Sequence, residues 1–349
     1  MNDFTIRVMM IGGRRCGKTS VLAAMKSCFE EATKNTSLTI TANDETMEML
    51  DKKRSEIELY YKSCNNLGFS PDNNPDETES KYFFNIGLKG KNTNLTVRFF
   101  DFPGEWVRTD PEKIVKEIKN SDVIMIAIDT PYLMEESGFY NENWNKCSLI
   151  TNLLKSNFDL LNSEPKMILF VPLKCERYKN DVKYKLDNIQ EKIRNIAYRD
   201  LINHLNNSNK VTVAITPIFT MGTASFYKFD RDENGKIIEQ KISDTQVVPK
   251  TAFYDFTNEA YTVGGNYPQP KPQYCEQPMI YLLAYTMEIA KRIKNKQNAN
   301  FWGRLANVFL TKFLSFPSAE DFINERQTLC NHMVRDKDGY CFVYNPLKL

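Results

Sequence analysis

Residues 12–19 carry the spacing Gly-x-x-x-x-Gly-Lys-Thr, which is suited to holding a polyphosphate. Gly12 and Gly17 permit backbone conformations that a Cβ would penalise, so consecutive amides can turn towards phosphate oxygens. Lys18 would supply a positive charge to the β- and γ-phosphates, and the Thr19 hydroxyl is suited to ligate Mg²⁺. The predicted phosphate contacts are Gly12, Gly13, Arg14, Arg15, Cys16, Gly17, Lys18, Thr19 and Ser20.

A second motif, Asp101-Phe102-Pro103-Gly104, ends an apolar run. In a phosphate-loop protein, an aspartate at this place holds Mg²⁺, usually through water, and we expect that role for Asp101. The Gly104 amide is then available to the γ-phosphate. Glu105 directly follows Gly104 and is the third candidate site residue here, after Asp101 and Gly104.

A third motif, Lys174-Cys175-Glu176, follows the apolar run 167–173. A carboxylate here could accept hydrogen bonds from the N1–H and the exocyclic amine of guanine, while the Lys174 stem lies over the base. Adenine lacks that pair of donors, so the motif favours GTP over ATP. Leu173 replaces the usual Asn or Thr, and Glu176 is one methylene longer than the usual Asp.

The elements that must position these motifs alternate between strand and helix. Apolar runs suited to buried strands precede each motif, and helical patterns follow them. This alternation predicts an α/β fold with a mainly parallel, doubly wound sheet, whose carboxyl edge carries the phosphate site. The expected strands cover 4–11, 81–89, 94–101, 122–129, 167–173 and 210–215, and the expected helices include 111–120, 141–161 and 182–205. A further helix is predicted at 44–64, with Asp44 as its cap and an apolar stripe of Met47, Leu50, Ile57 and Tyr60.

Together the three motifs resemble those of the Ras-like small GTPases, in the translation-factor-related class of phosphate-loop GTPases. The resemblance covers residues 4–220, and the 44–64 helix and the 172–176 loop resemble bacterial double-GTPase families of conflict and defence operons. It implies a switch threonine that coordinates Mg²⁺ and senses the γ-phosphate. Thr78 has the expected spacing before the strand at residue 81, and Thr39 and Thr41 are alternatives.

The sequence pattern also predicts a domain organisation, because the alternation of strands and helices breaks at residues 222–272. Residues 1–220 would form the GTPase domain, with a helical and loop insertion at 44–80. Residues 221–273 would add an inserted hairpin and loop region, with a hairpin at 225–241 around Asn234-Gly235. Residues 274–349 would complete and extend the domain with helices at 276–296 and 301–316 and a short strand at 340–344.

Composition sets limits on partners and location. The net charge of +2 gives no overall electrostatic case for nucleic acid, and no apolar run approaches the roughly 20 residues that span a bilayer. Eight scattered cysteines and the absence of a signal peptide favour the cytoplasm. The 301–316 helix could contact a membrane surface, but we expect it to pack on the core. A protein effector or activating partner is expected, of unknown identity.

The sequence therefore predicts a GTP-binding switch that hydrolyses GTP slowly, and GTP with Mg²⁺ would order residues 65–79 and the segment after Gly104. Glu105 stands where these GTPases carry the glutamine that orients water, and its charge would repel the γ-phosphate. Arg14, Arg15 or Arg108 could act as an arginine in cis. The predicted catalytic residues are Lys18, Glu105 and Thr78, and the predicted metal ligands are Thr19, Thr78 and Asp101. Two alternatives stay open: an ATP-binding phosphate-loop enzyme, and a non-hydrolysing nucleotide-bound scaffold whose surface is 222–316.

Overall fold

The computed structural model describes residues 4–13, 16–63, 79–90, 95–179, 185–243, 246–256, 270–294 and 319–349. Three predicted site residues, Arg14, Arg15 and Thr78, lie outside these ranges. So do the helix predicted at 301–316 and all but Glu79 of the segment 65–79.

The described chain forms an eight-stranded sheet and two two-stranded sheets. The strands are β1 Phe4–Gly12, β2 Leu38–Ala42, β3 Ser80–Leu88, β4 Leu95–Asp101, β5 Val123–Asp129, β6 Lys166–Leu173, β7 Val211–Ile215, β8 Ala224–Phe229, β9 Glu239–Ser243, β10 Gln246–Pro249, β11 Thr251–Phe256 and β12 Cys341–Tyr344.

The large sheet has the order β12-β7-β6-β5-β1-β4-β3-β2. Its five central strands, β7, β6, β5, β1 and β4, are parallel, whereas β3 runs antiparallel to β4 and to β2. The prediction of a mainly parallel sheet is confirmed. Two strands extend it further: β2 lies outside β3, and β12 pairs antiparallel with β7 at the other edge.

Helices cover both faces of this sheet. They are α1 Lys18–Ala32, α2 Asp44–Ser63, α3 Trp106–Thr109, α4 Pro111–Asn120, α5 Thr130–Met134, α6 Asn141–Asn145, α7 Cys147–Ser156, α8 Phe158–Ser163, α9 Leu186–Lys192, α10 Arg199–Leu205, α11 Gln277–Lys294 and α12 Ala319–His332. Alternate β1 side chains divide between two cores: Val8 and Met10 pack with α1, α2, α11 and α12, whereas Met9 and Ile11 pack with α4, α7, α9 and α10. No helix in the described ranges is both long and apolar enough to cross a bilayer.

Two predicted long helices are wrong as continuous elements. The segment 141–161 breaks at Lys146, whose φ is 56°, and again at Asn157. The first break lets the Asn145 side chain bond the backbone of Asp129, as described below. The segment 182–205 widens to a π-turn at Ile193–Ala197 and breaks at Tyr198, a buried ring that packs 4.9 Å from Phe170. Burying this large aromatic ring outweighs helix continuity.

The hairpin predicted at 225–241 is correct at its turn and wrong in its pairing. The turn exists, because the Gly235 amide bonds the Asp232 carbonyl at 2.9 Å. However, β8 pairs with β11, and β9 pairs with β10. Phe229 of β8 stacks on Tyr132 and contacts Tyr140, so side-chain packing against α5 and the 135–140 segment fixes this strand more strongly than the local turn.

The α2 helix begins at Asp44, and its cap lies one residue before the predicted one. Asn43, not Asp44, is the cap, because its side-chain oxygen accepts the Thr46 amide at 3.1 Å. On the apolar stripe, Leu50 and Ile57 are buried as predicted, and Tyr61 is buried as well.

This geometry makes Asn43→Ala more damaging than Asp44→Ala. Loss of a side-chain cap costs about 1 kcal/mol, whereas Asp44 offers the helix dipole about 0.3 kcal/mol at an exposed position. Urea unfolding should show the larger loss of unfolding free energy for Asn43→Ala. Equal losses in the two variants would contradict the assignment of the cap.

Candidate functional site

The site lies where the parallel strands end, at the carboxyl edge of the sheet. The phosphate-loop sequence follows β1, Asp101 ends β4 and Asp129 ends β5. Lys174 follows β6, and the register pairs Asp129 with Leu173. Because neighbouring parallel strands end at the same edge, motifs far apart in sequence come together there.

Neighbouring backbone makes the glycines of the phosphate loop obligatory. A Cβ on Gly12 would lie 2.5 Å from the Ala127 carbonyl oxygen, and a Cβ on Gly13 would lie 2.1 Å from that of Trp144. Gly17 has a φ of 107°, a conformation that L side chains rarely adopt. The approach of Trp144 to Gly13 was not foreseeable from the motif, because it depends on where α6 returns to the sheet.

Lys18, Thr19 and Asp101 form one polar cluster, in which Lys18 and Asp101 are buried and Thr19 is half-buried. The Lys18 Nζ donates to the Gly13 carbonyl at 3.3 Å and lies 3.7 Å from Asp101 Oδ1. The Thr19 hydroxyl donates to Asp101 Oδ2 at 3.1 Å. Within the described ranges, the buried Oδ1 makes no hydrogen bond. A hydroxyl beside a carboxylate with an unused buried oxygen is a donor set that fits Mg²⁺.

Neighbouring side chains in this cluster shift the pKa values of Lys18 and Asp101. Burial acts to lower the pKa of Lys18, but the nearby Cys16, Asp101 and Glu105 side chains outweigh it and the net pKa is raised. Burial raises the pKa of Asp101, against the opposing effects of Lys18 and Thr19. Glu105 is half-buried directly before α3, and its influence on Lys18 places its charge near the phosphate loop. Arg108, in contrast, is exposed.

Asp129 is a site residue that the sequence analysis missed. Its buried carboxylate forms an ion pair with Lys174, whose φ is 60°. The Asn145 side chain accepts the Asp129 amide at 2.8 Å and donates to its carbonyl at 3.0 Å, which fixes the strand end. Asp129 and Lys174 both act on the pKa of Cys16, so this pair lies beside the phosphate loop. The sequence feature that could have identified Asp129 is an acidic residue at the end of a fully buried strand.

Tyr82 of β3 is a second missed neighbour. It is buried, and burial raises its pKa to about 12, against hydrogen bonding to Ser80 and Thr19. The register of β3 on β4 pairs Ser80 with Asp101, so Tyr82 lies two residues along β3 from the partner of the aspartate. Alternation along β3 indicated a buried ring here but not its contact with Thr19.

Glu176 lies in the Glu176–Lys179 turn, and its partners are backbone amides. Its Oε1 accepts the Met221 amide at 2.6 Å and the Gly222 amide at 3.1 Å. Burial raises the pKa of this carboxyl to about 7, although both amides oppose the rise. Both bonds fall on one oxygen, so the segment after β7 fixes the carboxylate from one side.

Within the described ranges, the predicted site residues fall into two groups. The first lies around Lys18 and Asp101 and includes Gly12, Gly13, Cys16, Gly17, Thr19, Ser20, Gly104 and Glu105. The second comprises Lys174 and Glu176. The alternatives Thr39 and Thr41 lie in β2, which β3 and β4 separate from β1, whereas Thr78 lies outside the described residues.

Solved structures that are similar to this chain include two with a bound guanine nucleotide. The crystal structure of the S. cerevisiae Ski7 GTPase-like domain bound to GTP has a TM-score of 0.38 and 14% identity, over 71% of this chain and 48% of that one. The crystal structure of Sup35 complexed with GDP has a TM-score of 0.30 and 10% identity, over 67% of this chain and 41% of that one. The chain thus spans less than half the length of each. No curated protein matches it.

A family model gives a more specific assignment. The model described as Double-GTPase 2 matches residues 6–217, which is more than half of the 349 residues. The matched region contains β1 with its phosphate loop, the Asp101 motif and the Lys174–Glu176 segment. The chain belongs to the Double-GTPase 2 family of phosphate-loop GTPases.

Proposed function

We propose that the protein is a GTP-binding switch that requires Mg²⁺ and hydrolyses GTP slowly. The observation that carries this proposal is the polar cluster of Lys18, Thr19 and Asp101 at the end of β1. Lys18 would bind the β- and γ-phosphates together with the amides of residues 12–20. Thr19 and Asp101 would hold Mg²⁺, which neutralises phosphate charge when bound, and Thr78 would complete its ligands in the GTP state.

In this proposal, Glu176 selects the base of the nucleotide. Its Oε1 is fixed by two amides, so the carboxylate is oriented before any ligand arrives. A guanine would then donate its N1–H and exocyclic amine towards Oε2, because both backbone amides bond Oε1, and the Lys174 stem would lie along the base. Membership of a double-GTPase family agrees with this choice of nucleotide.

The switch would consist of residues 65–79 and the segment after Gly104, ordered by the γ-phosphate and released when it leaves. A protein effector or activating partner would read that difference. We assign the nucleotide-binding domain to residues 1–220, including the 44–80 insertion, and treat 221–273 and 274–349 as additions to it. An ATP-binding enzyme and a non-hydrolysing scaffold remain the competing proposals, and the experiments below separate them.

Changing Glu176 to Gln should convert the base preference from guanine to xanthine. The new carboxamide would keep an acceptor oxygen for the Met221 and Gly222 amides but would present an NH₂ group, which matches the C2 carbonyl of xanthine. Loss of a charge-assisted hydrogen bond should weaken GTP binding by about 10- to 100-fold and favour xanthosine triphosphate. Titrations with labelled GTP, ATP and xanthosine triphosphate measure this.

Glu31→Gln is the matched control, since it removes an exposed carboxylate of α1. It should leave all three affinities unchanged. Equal GTP and ATP binding by the wild-type protein would contradict guanine selection and favour the ATP alternative.

GTP affinity should rise with pH between 6 and 8. The pKa of Glu176 is about 7 without ligand, and only the ionised form accepts both guanine donors, so protonation competes with binding. Ionisation rises from about 9% at pH 6 to about 91% at pH 8, which predicts roughly a tenfold gain in affinity.

ATP carries the same triphosphate as GTP. The ATP affinity, measured over the same pH range, therefore corrects for the titration of the phosphates themselves. The ratio of GTP to ATP affinity should therefore follow the Glu176 carboxyl and be flat in Glu176→Gln. A flat ratio in the wild-type protein would argue against this carboxylate contacting the base.

Replacing Glu105 with Gln should accelerate GTP hydrolysis. The substitution removes a charge that repels the γ-phosphate while keeping a group that can orient water, and about 1.4 kcal/mol of relieved repulsion corresponds to about tenfold. Single-turnover phosphate release should be faster for Glu105→Gln than for Glu105→Ala, which cannot orient water. A slower Glu105→Gln would identify Glu105 as a general base, and no release from any variant would favour the scaffold.

A further inference from the structure

The α2 helix contacts two parts of the candidate nucleotide site. Near its middle, Arg54 Nε donates to the Ala23 carbonyl of α1, the helix that follows the phosphate loop, at 2.9 Å. Near its end, Tyr61 reaches the segment after β7. Ile57 and Tyr61 pack there with Met221 and Ala224 in a cluster separate from the two main cores.

The Tyr61 hydroxyl makes two hydrogen bonds in this cluster. It donates to the Met221 carbonyl at 2.8 Å and accepts from the Thr223 hydroxyl at 3.1 Å. Tyr61 is only 1% exposed, so water does not readily replace these bonds. The same Met221 carbonyl also accepts the amides of Thr223 at 2.9 Å and Lys271 at 3.0 Å.

Met221 links Tyr61 to Glu176 through its own peptide groups. Its carbonyl accepts the Tyr61 hydroxyl, and its amide donates to Glu176 Oε1, as does the next amide, that of Gly222. Gly222 has a φ of 74°, and a Cβ there would lie 1.6 Å from the Lys271 carbonyl oxygen. The turn that carries both amides is thus fixed by close backbone packing on one side and by Tyr61 on the other.

We propose that Tyr61 is a positioning residue for base recognition: it holds the Met221–Gly222 turn whose amides orient the Glu176 carboxylate. This inference rests on the proposed function, because it assumes that Glu176 selects guanine. Tyr61 stands two residues before the end of α2, and residues 64–79 follow directly in sequence. One helix therefore joins the base-selecting turn to the segment that contains Thr78.

The test compares Tyr61→Phe with Tyr285→Phe. Both remove one buried phenolic hydroxyl, but the Tyr285 hydroxyl has no hydrogen-bond partner within the described ranges. Tyr61→Phe should weaken GTP binding by about fivefold, the usual worth of one such bond, and leave ATP binding unchanged. Tyr285→Phe should leave both affinities unchanged. A purely structural role would lower both affinities of Tyr61→Phe together.

Thr223→Val removes the hydroxyl that donates to Tyr61 and should lower the GTP-to-ATP ratio in the same direction. If Tyr61→Phe does not fold, the Thr223→Val variant is used for the same test. A wild-type protein that prefers GTP, with variants that keep the wild-type ratio, would overturn this inference alone. A wild-type protein without any preference for GTP would overturn the proposed function, and this inference with it.

Discussion

The structure depends on bringing a lysine, a carboxylate and a hydroxyl together at the end of one central strand. Lys18 and Asp101 are both buried, and each ionised group is tolerable there only because the other lies close by. The parallel order of β1 and β4 makes this possible, since Met10 is in register with Asp101. Asp101 Oδ1 faces Lys18 at 3.7 Å but accepts no hydrogen bond within the described part of the chain, so it keeps acceptor capacity for a ligand.

Around this cluster, many of the contacts that position the site residues come from backbone carbonyls and amides. The Trp144 carbonyl approaches Gly13, the Asp129 peptide groups bond Asn145, and the amides of Met221 and Gly222 hold Glu176. Each of these contacts comes from a connection that follows a parallel strand. The carboxyl edge is therefore held by backbone contacts from two connections, those that follow β5 and β7. Tyr61, near the end of α2, contacts the second of these connections.

How much could be predicted from the sequence depended on whether the signal was local. Strand-ending motifs are local, so the sheet, its parallel core and the proximity of Asp101 to Lys18 followed from periodicity and spacing. Contacts between distant segments had no such signal: the pairing of β8 with β11, the Asp129–Lys174 ion pair and the bond from Tyr61 to Met221 depend on tertiary packing. The long helices failed for the same reason, because burying Tyr198 and placing Asn145 outweighed local propensity. The wrong choice of Asp44 as the helix cap has a different cause, since cap preference does not distinguish well between adjacent Asn and Asp.

The position of β12 bears on how this molecule can be divided. The family match ends at residue 217, yet the sheet continues with residues 341–344 beside β7, and α11 covers one face of the same sheet. A fragment cut at the limit of the family match would leave one edge of the apolar strand β7 unpaired and would remove α11 from that face. Unpaired apolar edges recruit strands from other copies, so such a fragment would tend to self-associate. The sheet and its helical cover therefore extend beyond the stretch that the family model matches.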